Sequence, residues 1–353
     1  MSGLDIPHAR TSQPTAEPRL SHTLQHLPDV DCVVVNRDGG EALFAALRSL
    51  EEQTGVDLSI VVVDNDSQPA ERERLAREAP EARVVTFSRN LGFAGAANEG
   101  IVRTRSPFVL LLNNDAVLAP EYVARLAARL TLDERLAAVQ GLVVSSDGAR
   151  VDSAGFGWNR RGEAIPLFAG VSPEVPPRGV FEVAGVSATA ALYRREALMS
   201  VAPHGEVFDR AYFAYYEDVD LSLRLSRGGW RFACDTGAVA RHEGSRTGQR
   251  TPWKRALWTS RNRWRALFSN FEPRLLKARL PALLRADLAH ARRLGWRGAL
   301  LLFAVWPLLP LLARETRDEP NRLTRWPARF TAASLLSGSG PSRGSTGAGR
   351  RLG

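Results

Sequence analysis

Four short, largely apolar runs, each followed by a helical pattern, constrain this chain more than any other feature. They lie at residues 32–36, 58–64, 82–87 and 108–112. Between the first two, residues 41–53 place Leu43, Phe44, Leu47 and Leu50 at helical spacing. Residues 69–78 read as a polar, exposed helix, 92–102 as a helix with a small-residue face, and 120–130 as an amphipathic helix. Strands apolar on both faces, alternating with helices, predict an α/β fold with a mostly parallel sheet covered on both sides. Such sheets bind ligands beyond the carboxyl ends of their strands. The polar residues that close the strands are therefore the first candidates for function.

Beyond residue 140 the period loosens, and Gly, Pro and Arg crowd 145–180. Strands are expected at 188–194 and 230–234, and helices at 195–200 and 217–227. The polar, Pro-containing residues 1–29 and the Ser/Gly-rich residues 337–353 read as disordered ends flanking a catalytic region at 30–250. Residues 1–29 lack the apolar core of a signal peptide, so a cytoplasmic location is expected. The 2 cysteines, Cys32 and Cys234, sit in strand-like runs and read as buried thiols. With no Cys/His cluster, a structural zinc site is not expected.

Charge is distributed unevenly. Residues 251–353 hold 20 Lys+Arg against 5 Asp+Glu, a net of +15 inside a chain total of +9. Six of the 8 tryptophans fall between 251 and 330, and residues 298–313 form a 16-residue uncharged run containing Pro307 and Pro310. A straight spanning helix needs ~20 apolar residues. The short, Pro-containing run therefore suits an interfacial or re-entrant segment, with Arg292, Arg293, Arg297, Arg314 and Arg317 meeting anionic headgroups. Residues 251–336 are thus expected to form a basic, Trp-rich helical extension on a membrane surface. The alternative is a Leu-rich helix packed on the catalytic region.

Four polar clusters follow strands or open helices. Asp64-Asn65-Asp66-Ser67 closes the second run, where a carboxylate can accept hydrogen bonds from a nucleobase or ribose, or simply form a turn. Asn90-Leu-Gly92-Phe-Ala-Gly95-Ala-Ala-Asn98 follows the third run. Its glycines allow close backbone approach to an anion at a helix start, but it lacks the dinucleotide and Walker patterns. Asn113-Asn114-Asp115 closes the fourth run, and oxygens at i and i+2 can face a hard cation that in turn holds a diphosphate. Tyr212-Phe-Ala-Tyr-Tyr-Glu217-Asp218-Val-Asp220 places three acids at a helix start among aromatic residues. The helix dipole favours acids there, Asp220 and Arg224 are spaced for an ion pair, and a carboxylate in an aromatic pocket can serve as a base. His242 follows the last expected strand and gains meaning only if it reaches Asp115 in space.

In this order the clusters resemble the family 2 glycosyltransferases of GT-A fold, in particular the subgroup with bacterial rhamnosyltransferases and galactofuranosyltransferases. The resemblance covers about residues 31–270. It rests on Val-Asn36, Val-Val-Asp64-Asn65, Asn90-x-Gly92-Phe-x-Gly95-x-x-Asn98, Leu-Leu-Asn113-x-Asp115, Tyr-x-Glu217-Asp218-x-Asp220-Leu-x-x-Arg224 and His242. It implies a mixed, mostly parallel sheet flanked by helices, with a C-terminal helical extension. It also implies an inverting hexosyltransferase. Asp64 would contact the nucleobase, and Asn36, Asn65, Asn90, Gly92, Gly95, Asn98 and Asn114 would line the nucleotide-sugar site. Asp115, Asn113 and His242 would hold Mn²⁺ or Mg²⁺. Asp218 would be the base, with Glu217 beside it. Asn113 departs from the family's usual Asp, which removes one charge. Arg261-Asn262 also resembles a family feature, without an implied role. The implied partners are a dTDP- or UDP-sugar donor, a lipid-linked glycan acceptor of wall or surface polysaccharide synthesis, and the inner face of the plasma membrane.

Three other readings compete. A sugar-nucleotide pyrophosphorylase needs a Gly-rich basic loop after the first strand, and Arg37-Asp38-Gly39-Gly40 is too sparse. An inactive membrane-attached scaffold draws support from Asn113 but not from Asp115, Asp218 and His242. A nucleic-acid binder fails because the arginines flank an apolar run rather than a polar, aromatic-lined groove. Oligomeric state is left open.

Overall fold

The computed structural model describes residues 27–159, 163–202, 205–244, 252–316, 322–323 and 335. Most of the expected N-terminal segment and the whole C-terminal tail lie outside the described residues.

In the first half, β1 (Val30–Asn36), β2 (Leu58–Asn65), β3 (Arg83–Phe87) and β4 (Phe108–Asn113) pair in parallel in the order β4-β1-β2-β3. Helices α1 (Glu41–Glu51), α2 (Pro69–Glu78) and α3 (Gly92–Ile101) connect them. Alternate residues feed two separate cores. Val33, Val63 and Leu111 pack with Ala94, Ala97 and Ile101 of α3. Cys32, Val34, Val62 and Leu110 pack with Leu43 and Leu47 of α1 on the opposite face. Burial on both faces is why β1, β4 and the second half of β2 are so apolar, whereas β3 at the sheet edge carries Arg83 and Thr86 and is largely exposed.

The second half is mixed. It runs β5 (Ala116–Leu118), α4 (Tyr122–Leu132), β6 (Leu136–Ser145), β7 (Val151–Ser153), β8 (Phe156–Trp158), β9 (Ala164–Pro166), β10 (Val180–Val183), β11 (Ala190–Arg194), α5 (Arg195–Ser200), a 3-10 turn (Arg210–Tyr212), α6 (Glu217–Arg227) and β12 (Arg231–His242). Strand β11 lies antiparallel between β4 and β6, and β12 lies parallel to β6. Strands β4 and β12 therefore point the same way and end on the same edge. The strand expected at 230–234 continues to His242 through a register shift between Asp235 and Val239. Strand β6 falls where no strand was expected.

The C-terminal helices are α7 (Pro252–Asn270), α8 (Pro273–Arg293), α9 (Trp296–Val305), a 3-10 turn (Trp306–Leu308) and α10 (Leu309–Glu315). Packing does not divide at residue 250. Trp264, Leu267 and Phe271 share a core with Val219 and Leu223 of α6 and with Leu301, Val305 and Leu312. Asn270 donates to Asp220 Oδ1 at 2.6 Å. Nor are the tryptophans one surface girdle, as the membrane reading expected. Trp264 is buried, and the Nε1 atoms of Trp264 and Trp306 both donate to Asp287 Oδ2, at 2.8 and 3.2 Å. Pro307 and Pro310 sit in the 3-10 turn and the first turn of α10, where proline costs a helix little. Residues Trp296–Glu315 thus form a 20-residue helical unit of mean hydropathy 1.6, long and apolar enough to cross a membrane by length and composition. One side of that unit is an exposed apolar stripe. Trp296 (72% exposed), Leu300, Phe303 (81% exposed) and Leu311 recur at helical spacing, opposite the buried Leu301, Val305 and Leu312.

Candidate active site

The β4–β5 reversal brings Asp115 to the end of β12. Strand β5 pairs antiparallel with β12, placing Ala116 opposite His242, and Glu243 N donates to the Asp115 carbonyl at 3.0 Å. His242 Nε2 lies 3.2 Å from Asp115 Oδ1, and both side chains are nearly buried. The contact attracts charge but is not aligned for a directed hydrogen bond, and Nε2 has no hydrogen-bond partner. At the other edge of the ring, Nδ1 sits 2.8 Å from Asp152 Oδ2. Burial works against the imidazolium, but the Asp115 and Asp152 carboxylates outweigh it and lift the His242 pKa to about 9.

Asp115 and Nε2 supply one hard and one borderline donor, and Asn113 closes β4 two residues before Asp115. Nε2 is a buried polar atom left open toward a carboxylate. That donor set fits a divalent cation completed by anionic ligand oxygens. Among the described residues no cluster of three His, Cys, Asp or Glu groups is placed to hold a metal without such help.

The three acids at the start of α6 separate into three environments. Asp220 is structural, accepting from Arg224 Nε at 2.8 Å and from Asn270. Glu217 is buried, and its Oε2 has no partner. Burial first, then the neighbouring Asp218 charge, raises its carboxyl well above the ordinary range. Asp218 is half-buried and accepts from Val219 N at 2.8 Å, from Ala188 N at 3.4 Å and from the Ser187 hydroxyl. Burial raises this carboxyl too, against those donors. Of the pair, Asp218 is the one open to a substrate. The segment holding it also ties to β4, because Asn113 N donates to the Thr189 carbonyl at 2.8 Å.

The remaining residues singled out in the sequence lie at the carboxyl ends of β1 and β2, just after β3 and β4, and in α3. Asp64 is buried, with Oδ2 accepting from Arg72 Nε at 2.6 Å and Oδ1 from Ser67 N at 3.3 Å. Asn36 Oδ1 accepts from Asn114 Nδ2 at 2.7 Å and from Gly39 N at 3.2 Å. Asn65 pins the next loop, accepting from Leu91 N at 2.7 Å and donating to Asn90 Oδ1 at 3.1 Å. Asn98 exchanges two hydrogen bonds with the backbone of Phe208, at 2.7 and 2.8 Å, and is buried. These placements make Asn65 and Asn98 parts of the framework. Gly92 has φ +72°, and a Cβ there would clash with the Phe213 carbonyl. Gly95 lies one turn further along α3, against the Leu91 side chain.

That close approach packs α3 against a strained segment. Phe213, Tyr215 and Tyr216 all have positive φ, between 63° and 71°, just before Glu217. Each such non-glycine conformation costs about 1–3 kcal/mol. The restraint comes from Asn262 on α7, fully buried, whose Nδ2 lies within 2.7–2.9 Å of the carbonyls of Tyr212, Ala214 and Tyr215. Arg261 Nη1 donates to the Ala211 carbonyl at 2.8 Å. The Phe213 and Trp258 rings sit 5.0 Å apart. The Arg261-Asn262 pair therefore has a structural role that the sequence did not supply. Asp152 was not singled out in the sequence at all.

Residues 31–201 match the family described as Glycosyl transferase family 2. The N-acetylglucosaminyl-diphospho-decaprenol L-rhamnosyltransferase of Mycobacterium tuberculosis is 26% identical over 244 residues, 62% of this chain and 77% of that protein. The succinoglycan biosynthesis protein ExoO of Rhizobium meliloti is 32% identical over 127 residues, about a third of either chain. Among solved structures, the mannosyltransferase PcManGT from Pyrobaculum calidifontis, in complex with GDP-Man and Mn²⁺, aligns with TM-score 0.52. The alignment covers 83% of this chain and 81% of that one at 19% identity. GalNAc-T7 with UDP, GalNAc and Mn²⁺ aligns with TM-score 0.53 over 69% of this chain and 49% of that one, at 15% identity. These structural likenesses concern the fold.

Asn262→Ala removes the donor shared by three carbonyls and should cost about 1–3 kcal/mol. Amide exchange should accelerate in residues 212–218 while β1 and β2 keep their protection. Unchanged exchange in 212–218 would show that the tether does not hold this segment.

Proposed function

We propose, from the match of residues 31–201 to Glycosyl transferase family 2 and from a fold like that of solved glycosyltransferases, that the chain transfers a sugar, with inversion, from a nucleoside-diphosphate sugar to a hydroxyl of a lipid-linked glycan. The observation that carries this reading is the convergence of Asp115 and His242 on one sheet edge, with Asp218 held beside it through residues 187–189. The donor is a dTDP- or UDP-sugar, dTDP-rhamnose among them, in keeping with the mycobacterial relative's name.

Asp115, His242 and Asn113 would hold Mn²⁺ or Mg²⁺. A divalent cation supplies Lewis-acid stabilisation to a departing diphosphate. The chain's own work lies at Asp218. Its carboxylate accepts the acceptor hydroxyl's proton as that oxygen bonds to the anomeric carbon and the bond to the diphosphate breaks. A single displacement inverts the centre and releases the nucleoside diphosphate. Burial raises the Asp218 pKa and so strengthens it as a base. Glu217, buried without a partner for Oε2, adds no second exposed carboxylate.

Calorimetric titration with UDP, dTDP and GDP, with and without Mn²⁺, tests the reading as a whole. Metal-dependent binding of a pyrimidine diphosphate is expected; no binding of any diphosphate under either condition rejects it in favour of the inactive scaffold. Asp218→Asn should keep nucleotide binding and lower nucleoside-diphosphate release about 10²–10⁴-fold. Near-normal turnover would remove Asp218 from the mechanism. Asp115→Ala and His242→Ala should each abolish the response of nucleotide binding to Mn²⁺, and an unaltered response would refute the metal assignment.

The acceptor's lipid places the enzyme at the cytoplasmic face of the plasma membrane. What supports this is the stripe of Trp296, Leu300, Phe303 and Leu311, with exposed Arg292, Arg293 and Arg297 at one end and Arg314 at the other. Deleting the unit would bare the core beneath Leu301, Val305 and Leu312, so point changes are the better probe. Trp296→Ser with Phe303→Ser should abolish flotation with anionic liposomes while leaving nucleotide binding intact. Equal flotation of the doubly substituted and unchanged chains would rule this surface out.

A further inference from the structure

We propose that Asp152 is a positioning residue for the metal site: it holds the His242 ring so that Nε2, not Nδ1, is presented to a cation beside Asp115. The inference rests on the transferase reading above and adds a residue that reading does not include.

The geometry is specific. Strand β7, which carries Asp152, pairs with one edge of β6, and β12 pairs with the other. The β6–β7 register slips between Val143 and Val144, which are opposite Ser153 and Val151, so Asp152 falls at the irregularity. From there its carboxylate reaches across the end of β6 to Nδ1 at 2.8 Å. An ionised carboxylate only accepts, so Nδ1 must carry the hydrogen. In the neutral ring Nε2 then bears the lone pair. Nε2 is the buried nitrogen without a hydrogen-bond partner, 3.2 Å from Asp115 Oδ1. One edge of the ring is fixed and the other is left open toward a second ligand. Metal-bound histidines use this arrangement, in which the far nitrogen donates to a carboxylate that sets tautomer and ring orientation.

A plain surface contact is the competing account. The Asp152 side chain is half exposed, and exposed ion pairs contribute little to stability. That account predicts that losing Asp152 changes nothing at Asp115. The positioning account predicts a loss of metal affinity, and recovery by a side chain that still accepts from Nδ1. Because Asp152 is partly exposed and belongs to none of the three cores, its substitution leaves the fold testable.

The experiment is calorimetric titration of Mn²⁺ into the full chain saturated with dTDP or UDP, comparing the unchanged chain with Asp152→Ala and Asp152→Asn. Thermal unfolding serves as the control for the fold. Asp152→Ala should weaken Mn²⁺ binding about 10–100-fold, with an unchanged melting temperature. Asp152→Asn, whose amide oxygen can still accept from Nδ1, should recover most of that loss. Mn²⁺ affinity within twofold of the unchanged chain in Asp152→Ala overturns the inference and leaves the transferase reading standing. Equal loss in both variants also overturns it, because it assigns the effect to charge rather than orientation. Absence of Mn²⁺ binding by the unchanged chain overturns both.

Discussion

The pairing of the three-residue strand β5 with the end of β12 is the constraint on which the site depends. Asp115 follows β4 on one side of the sheet centre, and His242 closes β12 three strands away, beyond β11 and β6. Neither strand alone brings the two together. The chain reverses after Asp115 and lays Ala116–Leu118 along the last residues of β12. Strand β12 can serve both neighbours because its register slips between Asp235 and Val239. A bulge of this kind bends a strand and re-aims the residues beyond it. The slip is held by Asp235, fully buried and paired with Arg125 and Arg129 of α4, and by its acceptance of Gly237 N at 2.9 Å. A buried carboxylate thus anchors the bulge that precedes His242 on β12.

Acids concentrate on this edge, and their environments decide what each can do. Asp220 is neutralised by Arg224, and Asp64 by Arg72. Asp115 and Asp152 share His242 between them. Asp218 has only weak dipolar donors, and Glu217 Oε2 has none. The two acids without a cation are the two whose protonation burial favours. That contrast sets Asp218 and Glu217 apart from Asp115 and Asp152 without reference to any relative.

How much of this the sequence held depends on how local the cause was. Strands β1 to β4 and helices α1 and α4 follow from apolar periods that burial imposes, and these and the other helices up to α6 fall close to where the pattern placed them. Strand β6 was missed because its alanines and glycine carry no strand-like period, although Leu136–Ser145 is almost wholly buried. The second half of β12 was missed because Thr236 and Gly237 interrupt the run at the bulge. Asp115, Asp218 and His242 were legible as polar ends of recognisable elements, and their convergence was not, since it depends on β5. Asp152 carried no signal: a lone acid in a Gly- and Arg-rich stretch gains meaning only when β7 is laid beside β6. The tryptophans misled in the other direction. Composition grouped them as an interface, whereas Trp264 is core and Trp258 covers the strained segment before Asp218.

The same packing decides how the Trp296–Glu315 unit can meet a bilayer. Its length allows a crossing, but its inner face is in use. Crossing would strip Leu301, Val305 and Leu312 from the core they share with α7, at about 1.5–3 kcal/mol per side chain lost from protein contact, offset in part by lipid. It would also carry the Arg265–Glu315 ion pair, 2.8 Å apart, out of its setting and toward hydrocarbon. Lying in the interface plane keeps both. In that arrangement the exposed stripe would enter the headgroup boundary, and the flanking arginines would stay among the phosphates. Helix α7, beneath that stripe, is also the helix whose Asn262 holds the segment leading to Asp218. One element would then set both the surface that receives a lipid-borne acceptor and the residue that deprotonates it.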